Sequence, residues 1–508
     1  MLHNYVFILI AVVLTFLCSK EIKFVLKSLK LLYLQTIKLK PETKFDSFLL
    51  KVLLICIVSN LLFAYSPPLQ VREMMYDLSL PRRYVMEHQI FNMPDNYTSH
   101  YPLQIQMIYT LIMNFGDGIS AKLFHYFLGI LNMFLVYFIT RKLVDKRVAL
   151  LSATLFYLMP MTTSHSGVGN IEFGYFFYGL LTVLALLNWT NEENINQWFY
   201  LATINAGSAF ATKLPGISVV ITALFFTVYL ELFRKKRSIF DCANRIFIFG
   251  AIIGLIYSPW LIKNYLFTSN PFYPMNLFGF PVHEEIILQK IVFYISNQGY
   301  DLLRKLNQHH DLLFGIFVHG PGPLIFPFVI PWLFMKKEKK NLNLIFLFAG
   351  LNFLILYFLL PRPWIAELRY YFVSYTLFCI ISAYSILTIL NKFNIKKFVY
   401  FLILLGLIFP CLSLSVYFGL KRIPLFLGIQ SKNDYIKCYK HISYDLVEFV
   451  NKNLKKNDRV LSIGAVYEND YYFIPRIIYS DLYIRGITDI KRVISELRKN
   501  NITHIIFH

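Results

Sequence analysis

Residues 118–147 read GISAKLFHYFLGILNMFLVYFITRKLVDKR, an apolar run that ends in a cluster of basic residues at 141–147. An apolar run of about 20 residues is long enough to cross the hydrocarbon core of a bilayer as a helix. Lys and Arg are retained on the cytoplasmic side of such spans. This stretch therefore predicts a membrane-spanning helix whose C-terminal end faces the cytoplasm.

The same pattern repeats along the chain and predicts about twelve spans of roughly 16–22 residues each. The runs lie near 4–18, 47–65, 118–140, 148–163, 173–190, 197–212, 215–233, 244–262, 313–334, 342–360, 371–390 and 398–418. The basic clusters lie at 20–44, 141–147, 234–237, 336–340 and 392–397. Alternating spans place all of these clusters on one side, which the positive-inside rule identifies as cytoplasmic. The first run is interpreted as an uncleaved span with the N-terminus outside.

Composition supports a polytopic membrane protein and excludes several other classes. Of 508 residues, 56% are hydrophobic and 16% are charged, whereas a soluble domain has about 45–50% and 25%. The net charge of +21 would suit nucleic acid, but it is concentrated in short clusters between apolar runs, so membrane topology explains it better. The six cysteines form no CxxC pair, so neither zinc nor redox chemistry is indicated.

The alternation of spans places 66–101, 264–311 and everything after about residue 419 outside the cytoplasm. Helical spacing around 446–454 and 490–497, with apolar strand-like runs at 460–464, 472–479 and 502–507, predicts a small α/β unit in the tail. The predicted fold is thus an all-α polytopic membrane domain over 1–418, with about twelve transmembrane helices, followed by an extracytoplasmic α/β domain over 419–508.

The first outer loop, 66–101, contains the most suggestive polar residues. Glu73 and Asp77 are four residues apart, so on a helix both carboxylates would share a face. A carboxylate at the membrane boundary can accept a proton or bind a metal ion, and Arg72 offers fixed positive charge for a phosphate. The alternative is a solvated juxtamembrane helix whose acids pair with its own arginines, and spacing alone favours it.

Several short motifs together resemble the GT-C membrane glycosyltransferases, which include protein O-mannosyltransferases and lipid A aminoarabinose transferases. The resemblance spans nearly the whole chain, and the order of the motifs carries it. The matching stretches are Glu73-x-x-Tyr76, Leu80-Pro81-Arg82-Arg83-Tyr84, Tyr101-Pro102-Leu103, Thr212-Lys213-Leu214-Pro215-Gly216, Ser258-Pro259-Trp260-Leu261-Ile262-Lys263-Asn264, Asn270-Pro271-Phe272-Tyr273-Pro274 and Leu368-Arg369-Tyr370. One departure is Arg72, which stands where the family usually has Asp, so an inactive homologue is an alternative.

The resemblance implies roles for individual residues. Glu73 is the first choice for the general base and Asp77 the second, with Glu172 as a partner acid from the short outer loop 164–172, or alternatively a cap of the next span. The cations expected at the donor phosphate are Arg72, Lys213 and Arg369; for Lys213 the alternative is snorkelling to the interface. The residues expected to bind substrate or shape the outer loops are Tyr76, Lys263, Asn264, Asn270, Tyr273 and Tyr370.

The resemblance implies transfer of a sugar from a polyprenyl-phosphate donor to an acceptor hydroxyl on a lipid, glycan or protein. The site would lie at the outer face of a bacterial cytoplasmic (inner) membrane, in contact with membrane lipid and without nucleic acid. No metal ligand set is evident, and a divalent metal is left open. One alternative is a polysaccharide polymerase or ligase, which would rely on an outer loop rich in Arg and His. Another is a lipid or solute transporter, which would need charges in the middle of spans.

Overall fold

The computed structural model describes residues 4–17, 19–20, 23, 27, 41–93, 96–191, 196–273, 278–280, 320–322, 325–335, 340–360, 367–392, 400, 403, 406, 408–438, 444–463, 471–479 and 489–507. Most of the predicted outer loop 264–311, part of the predicted span 313–334 and much of 398–418 lie outside these residues. The two adjacent histidines at 309 and 310 also lie outside the described residues.

Helices account for most of the described residues. The α-helices are α1 Asn4–Leu17, α2 Lys44–Ala64, α3 Ser79–Glu87, α4 Gln104–Phe115, α5 Gly118–Leu143, α6 Lys146–Tyr157, α7 Pro160–Ser166, α8 Glu172–Asn191, α9 Gln197–Thr212, α10 Ile217–Tyr229, α11 Ile239–Thr268, α12 Ile325–Val329, α13 Lys340–Leu359, α14 Phe372–Lys392, α15 Phe409–Leu420, α16 Ile423–Phe426, α17 Lys432–Lys437, α18 Tyr444–Asn453 and α19 Ile490–Lys499. Wider π-helical turns lie at Glu73–Asp77 and Leu230–Arg234, and 3-10 turns at Tyr97–His100, Leu214–Gly216, Ile330–Phe334 and Leu368–Tyr371.

Seven segments within the described residues are long and apolar enough to cross a membrane. They are Lys44–Ala64, Gly118–Leu143, Glu172–Thr190, Leu214–Arg234, Ile239–Thr268, Asn341–Leu359 and Leu368–Lys392. The helices at 146–157, 197–212 and 409–420, which fall on other predicted spans, are shorter. The prediction of a largely helical polytopic protein is confirmed, and the number twelve stays a prediction.

The spanning helices divide into central and peripheral ones. In the segment Leu368–Lys392, 83% of the apolar window is buried within the chain, whereas in Ile239–Thr268 the share is 11%. Phe247 and Leu255 on α11 are each 74% exposed. Side chains this apolar and this exposed are expected where a helix faces lipid. Helix α14 therefore lies at the centre of the bundle and α11 at its surface.

The first outer loop consists of several short elements and begins with a π-helical turn. The backbone N–H of Leu78 donates to the carbonyl of Glu73 at 2.9 Å, a bond across five residues that defines the π-helical turn. Helix α3 follows directly, and the 3-10 turn at Tyr97–His100 leads to α4. Glu73 and Asp77 are the first and last residues of the π-helical turn, and they bind different partners, as described below.

The tail contains a three-stranded parallel sheet in the order β2-β1-β3, formed by β1 Arg459–Ile463, β2 Arg476–Tyr479 and β3 His504–Phe507. Strand β2 begins directly after Pro475, whose missing N–H excludes it from the ladder. The tail contacts the first outer loop: the guanidinium of Arg83 donates to the carbonyls of Ile474 and Pro475 at 2.9 Å each. A division into domains at residue 419 stays a prediction.

Candidate active site

The carboxylate of Glu172 is the centre of a buried charged cluster. Glu172 is the first residue of α8 and is fully buried. Its Oε1 accepts hydrogen bonds from Lys213 Nζ at 2.7 Å and from Arg72 Nη1 at 2.9 Å. Arg369 Nε lies 3.8 Å from the same oxygen. Three cations from three separate parts of the chain thus converge on one carboxylate.

Asp77 joins this cluster through Arg72. Its Oδ2 lies 3.1 Å from Arg72 Nε, and its Oδ1 accepts a hydrogen bond from the Gln106 amide at 3.2 Å. The Arg72 guanidinium therefore bridges the carboxylates of Asp77 and Glu172. We call Arg72, Asp77, Glu172, Lys213 and Arg369 the Glu172 cluster.

Irregular backbone positions the three cations of the cluster. Lys213 ends α9 in an extended conformation, with φ of −159°, just before the 3-10 turn Leu214–Gly216. Arg369 lies in the 3-10 turn Leu368–Tyr371, and Arg72 immediately precedes the π-helical turn. Helix termini and tight turns allow a long side chain to point inward between helices, which a continuous span would not.

Aromatic rings face the cations of the cluster. Lys213 Nζ lies 4.7 Å from the centre of the Tyr370 ring, and Arg72 Cζ lies 5.1 Å from that of Tyr76. The Tyr76 hydroxyl also accepts a hydrogen bond from Arg72 Nη2. Aromatic faces attract cations most strongly where water is excluded. Tyr76 and Tyr370, both expected near substrate, are thus brought to the cluster.

The cluster contains three cations and two carboxylates, and a third carboxylate lies at its rim. Arg72, Lys213 and Arg369 oppose the two carboxylates of Asp77 and Glu172, and Glu367 pairs with Arg369 at 3.0 Å from the half-exposed rim. The side chains of Arg72 and Arg369 are 17% and 24% exposed. Arginine side chains that are partly open in this way are suited to bind an anion such as a phosphate.

Asp77 has an unusual pKa for an acid beside an arginine. Burial raises the pKa of its carboxyl to about 7, and the neighbouring cations, Arg72 first among them, offset only part of this rise. A carboxyl that titrates near neutral pH is suited to accept a proton at working pH. Asp77 therefore lies within the Glu172 cluster and has a pKa suited to a general base.

Glu73, the first choice for the base, lies in a different environment. Its Oε2 accepts hydrogen bonds from the backbone N–H groups of Leu69 at 3.1 Å and Gln70 at 2.9 Å, and its Oε1 accepts one from Gly169 N–H. Lys122 Nζ lies 3.8 Å from Oε1. Backbone amides on both oxygens fix the carboxylate in place, an arrangement typical of a residue that shapes a loop.

The residues predicted from the second outer loop form a separate group. Lys263 Nζ donates to the carbonyls of Ser99 at 2.6 Å and Tyr101 at 3.2 Å. The Asn264 amide donates to the carbonyls of His100 at 2.9 Å and Tyr273 at 3.1 Å. The Tyr273 ring packs edge-on against His100, with centroids 4.6 Å apart.

Asn270 completes this group by accepting the N–H of Phe272 on its Oδ1 at 2.9 Å, which shapes the turn after α11. These hydrogen bonds fasten the end of α11 to the 3-10 turn of the first outer loop. They involve the backbone at 99–101 rather than the Glu172 cluster.

Two residues that sequence reasoning missed contact these sites, and a third, His165, interacts electrostatically with Glu172. Gln106 binds Asp77, and Lys122 donates to the Ser66 carbonyl at 2.8 Å beside Glu73. His165 Nδ1 lies 2.9 Å from the Met161 carbonyl, and burial lowers the pKa of this imidazole to about 4, so it is neutral at pH 7. A lysine four residues into an apolar run was a usable signal for Lys122. The sequence contained no comparable signal for Gln106 or His165.

The arrangement does not form a metal-ligand set. In the part of the chain that the structure describes, no three His, Cys, Asp or Glu side chains are grouped to hold a metal ion. Arg72 lies between the two carboxylates that a divalent ion would bridge, and its fixed charge repels a second cation there. The residues present therefore do not fit a metal centre at this position.

Comparisons with known proteins bear on the fold of the chain. The family model described as dolichyl-phosphate-mannose-protein mannosyltransferase matches residues 101–262. Among solved structures, ArnT from Cupriavidus metallidurans bound to undecaprenyl phosphate has a TM-score of 0.53 at 13% identity, covering 91% of this chain and 90% of that one. No curated protein matches the sequence.

Two structures from Archaeoglobus fulgidus are also similar. The oligosaccharyltransferase in complex with Zn and sulfate has a TM-score of 0.57 at 14% identity, covering 90% of this chain and 67% of that one. The archaeal oligosaccharyltransferase AglB with an inhibitory peptide and a dolichol-phosphate has a TM-score of 0.53 at 13% identity, covering 92% and 70%. The prediction from the sequence motifs is confirmed: the chain is a membrane protein with the GT-C glycosyltransferase fold.

Proposed function

We propose that the protein transfers a sugar from a polyprenyl-phosphate donor to an acceptor hydroxyl. The observation that carries this proposal is the convergence of Arg72, Lys213 and Arg369 on one buried carboxylate beside Asp77. The similar structures of ArnT and AglB contain undecaprenyl phosphate and dolichol-phosphate, which supports a lipid phosphate as the donor's anionic group.

The donor phosphate binds to the exposed edge of the cluster. Arg369 and Arg72 are the more open cations, so their guanidinium groups contact the phosphate oxygens. Lys213, which is held by Glu172 at 2.7 Å, adds positive charge when it is protonated. These charges stabilise the negative charge that develops on the phosphate as it leaves the sugar.

Asp77 acts as the general base. When Arg72 contacts the phosphate, its interaction with Asp77 Oδ2 weakens, and this oxygen becomes available to the acceptor. Oδ2 takes the acceptor's proton while the acceptor oxygen forms a bond to the anomeric carbon. The bond between that carbon and the phosphate oxygen breaks, and the electron pair leaves with the polyprenyl phosphate. Glu172 keeps the cations in place and takes no proton.

The reaction takes place at the outer face of a bacterial cytoplasmic membrane. The five basic clusters support this sidedness, because they place the first outer loop and both chain segments that supply Glu172 and Arg369 opposite the cytoplasm. A donor whose tail stays in lipid presents its sugar there. The acceptor is a hydroxyl of a lipid, a glycan or a protein.

The test is turnover of a labelled donor. The purified full-length protein in detergent is given radiolabelled polyprenyl-phosphate sugars, one sugar at a time, with an envelope extract as the source of acceptor. Release of polyprenyl phosphate with transfer of label is expected for wild type and for Asp445→Asn, a matched control at an exposed tail residue. Failure of every donor with wild type, or equal turnover by Asp77→Asn, would contradict the proposal.

A further inference from the structure

A second cavity with charged residues in its lining is formed in part by the first outer loop. A cavity of about 260 Å³ is lined by residues from α2, the first outer loop, α5, the loop after α7 and the segment after α15. The lining residues are Phe63, Ser66, Pro67, Leu69, Gln70, Val71, Glu73, Lys122, Gly167 and Arg422. None of the five residues of the Glu172 cluster lines it.

Two buried cations contribute to this cavity. Lys122 is 2% exposed and Arg422 is 5% exposed. Burying a charge is costly unless it is paired or bound. Lys122 donates to the carbonyl oxygens of Ser66 at 2.8 Å and Pro67 at 3.3 Å. Its carboxylate neighbour Glu73 is 3.8 Å away, beyond hydrogen-bonding distance.

Arg422 is held rigidly but has an unused donor. Its guanidinium lies 4.5 Å from the Phe63 ring centre and 5.6 Å from that of Phe418, and its Nη1 donates to the Phe418 carbonyl at 3.0 Å. Its Nε atom is buried and has no hydrogen-bond acceptor among the described residues. Such a group is oriented before any ligand arrives, which lowers the entropic cost of binding.

The charge of the lining favours an anion. Lys122 and Arg422 oppose Glu73 alone, and the three backbone N–H groups on Glu73 already stabilise its negative charge. The positive charge of the two cations is therefore incompletely balanced. Ser66 and Gln70 add polar groups, while Phe63, Leu69 and Val71 form an apolar side.

The size of the cavity narrows the ligand class. Pockets for drug-sized ligands occupy about 300–1,000 Å³, and liquid water takes about 30 Å³ per molecule. A volume of about 260 Å³ therefore suits a phosphate group with a few waters, not a whole glycolipid. Phe63 near the end of α2 and Lys122 near the start of α5 place it at the same membrane boundary as the Glu172 cluster.

We propose that the cavity of Lys122 and Arg422 binds a terminal phosphate group, distinct from the donor phosphate at the Glu172 cluster. The shared chemistry is a phosphate with two or more negative oxygens, which arrives either as a lipid headgroup or as free phosphate. The proposal does not depend on sugar transfer, because its readout is binding.

The experiment measures binding to the full-length protein in uncharged detergent micelles by the shift in thermal unfolding midpoint. The probes are dioleoyl phosphatidic acid, dioleoylglycerol as its counterpart without phosphate, and inorganic phosphate. Arg422→Gln is expected to raise the half-saturating concentration of phosphatidic acid about tenfold or more, because a charge-assisted hydrogen bond is lost. Arg245→Gln, which removes an arginine near the start of α11, is the matched control and is expected to leave this concentration unchanged.

Two further variants guard against misfolding. Arg422→Lys keeps the charge and is expected to retain binding. Gln70→Glu introduces a negative charge at an exposed residue of the cavity lining and is expected to weaken binding about tenfold. An effect of phosphatidic acid alone identifies a lipid headgroup, and an equal effect of inorganic phosphate identifies free phosphate. Unchanged half-saturation in both Arg422→Gln and Gln70→Glu, or an equal response to dioleoylglycerol, overturns the proposal.

Discussion

Glu73 and Glu172 are both fully buried glutamates at the same membrane boundary, but their main partners differ. Three backbone N–H groups bind Glu73, with Lys122 Nζ 3.8 Å away. Lys213 and Arg72 bind Oε1 of Glu172, and a single backbone N–H, that of Ile171, binds its Oε2. Backbone amides cannot leave without unfolding the loop. Side-chain cations can change partner when a substrate arrives. We therefore propose that Glu73 holds the loop in place and that the Glu172 cluster performs the chemistry, although Glu73 lies beside Arg72 of that cluster in the chain.

The strongest test of this comparison is Asp77→Asn. The amide keeps the size of the side chain but cannot accept the acceptor's proton, so we expect transfer to fall about 10²–10⁴-fold. The initial rate of label transfer measures the effect, and the thermal unfolding midpoint should remain close to that of wild type. A rate within threefold of wild type would remove Asp77 from the chemistry.

Arg369→Gln tests whether the cations of the cluster hold the donor. The loss of one charge-assisted contact to phosphate is expected to cost roughly 10–100-fold in kcat/KM, and Arg369→Lys should recover part of it. Arg245→Gln, which removes an exposed arginine at the other end of a span, is the matched control. An equal loss in both variants would indicate a general effect of charge rather than donor binding.

Glu73→Gln tests the structural side of the comparison. Glutamine offers one acceptor oxygen in place of two and turns its NH₂ toward a backbone N–H, leaving at least one buried donor unpaired. We expect a loss of about 1–3 kcal/mol of stability, seen as a lower unfolding midpoint, with transfer per folded molecule largely kept. A loss of transfer of a hundredfold or more at unchanged stability would return the base to Glu73.

The pH dependence of transfer provides a further test. A base must be deprotonated, and burial raises the pKa of Asp77 to about 7. The rate is therefore expected to rise about tenfold per pH unit below pH 7 and to level off above it. The profile of kcat/KM against pH checks this. The slope should be absent from the residual activity of Asp77→Asn.

The smallest effect is expected in the tail. The Tyr472 hydroxyl donates to the Pro68 carbonyl at 2.6 Å, which connects the tail to the first outer loop. Tyr472→Phe removes one neutral hydrogen bond, so we expect a loss of about 1 kcal/mol of stability and unchanged transfer. We expect the tail to contribute no catalytic group. Loss of all transfer in a folded Tyr472→Phe protein would contradict this expectation.

The sequence predicted the helical membrane fold well because hydropathy and charge are local signals. Apolar length and basic clusters need no knowledge of distant contacts. The site was harder, since Arg72 and Glu172 are 100 residues apart and their contact depends on the packed bundle. Only family resemblance suggested Glu172, Lys213 and Arg369. The bonds from Glu73 to backbone amides depend on loop conformation, which spacing does not encode.

The π-helical turn at Glu73–Asp77 has a consequence for comparing sequences. Such a turn contains one residue more than an α-helix of the same length, so everything after it is rotated by about 100°. A relative whose loop is α-helical here should align with a one-residue gap between these positions. Deleting Met75 in this chain should accordingly close the turn to α-helical geometry and leave the elements after it in their orientation.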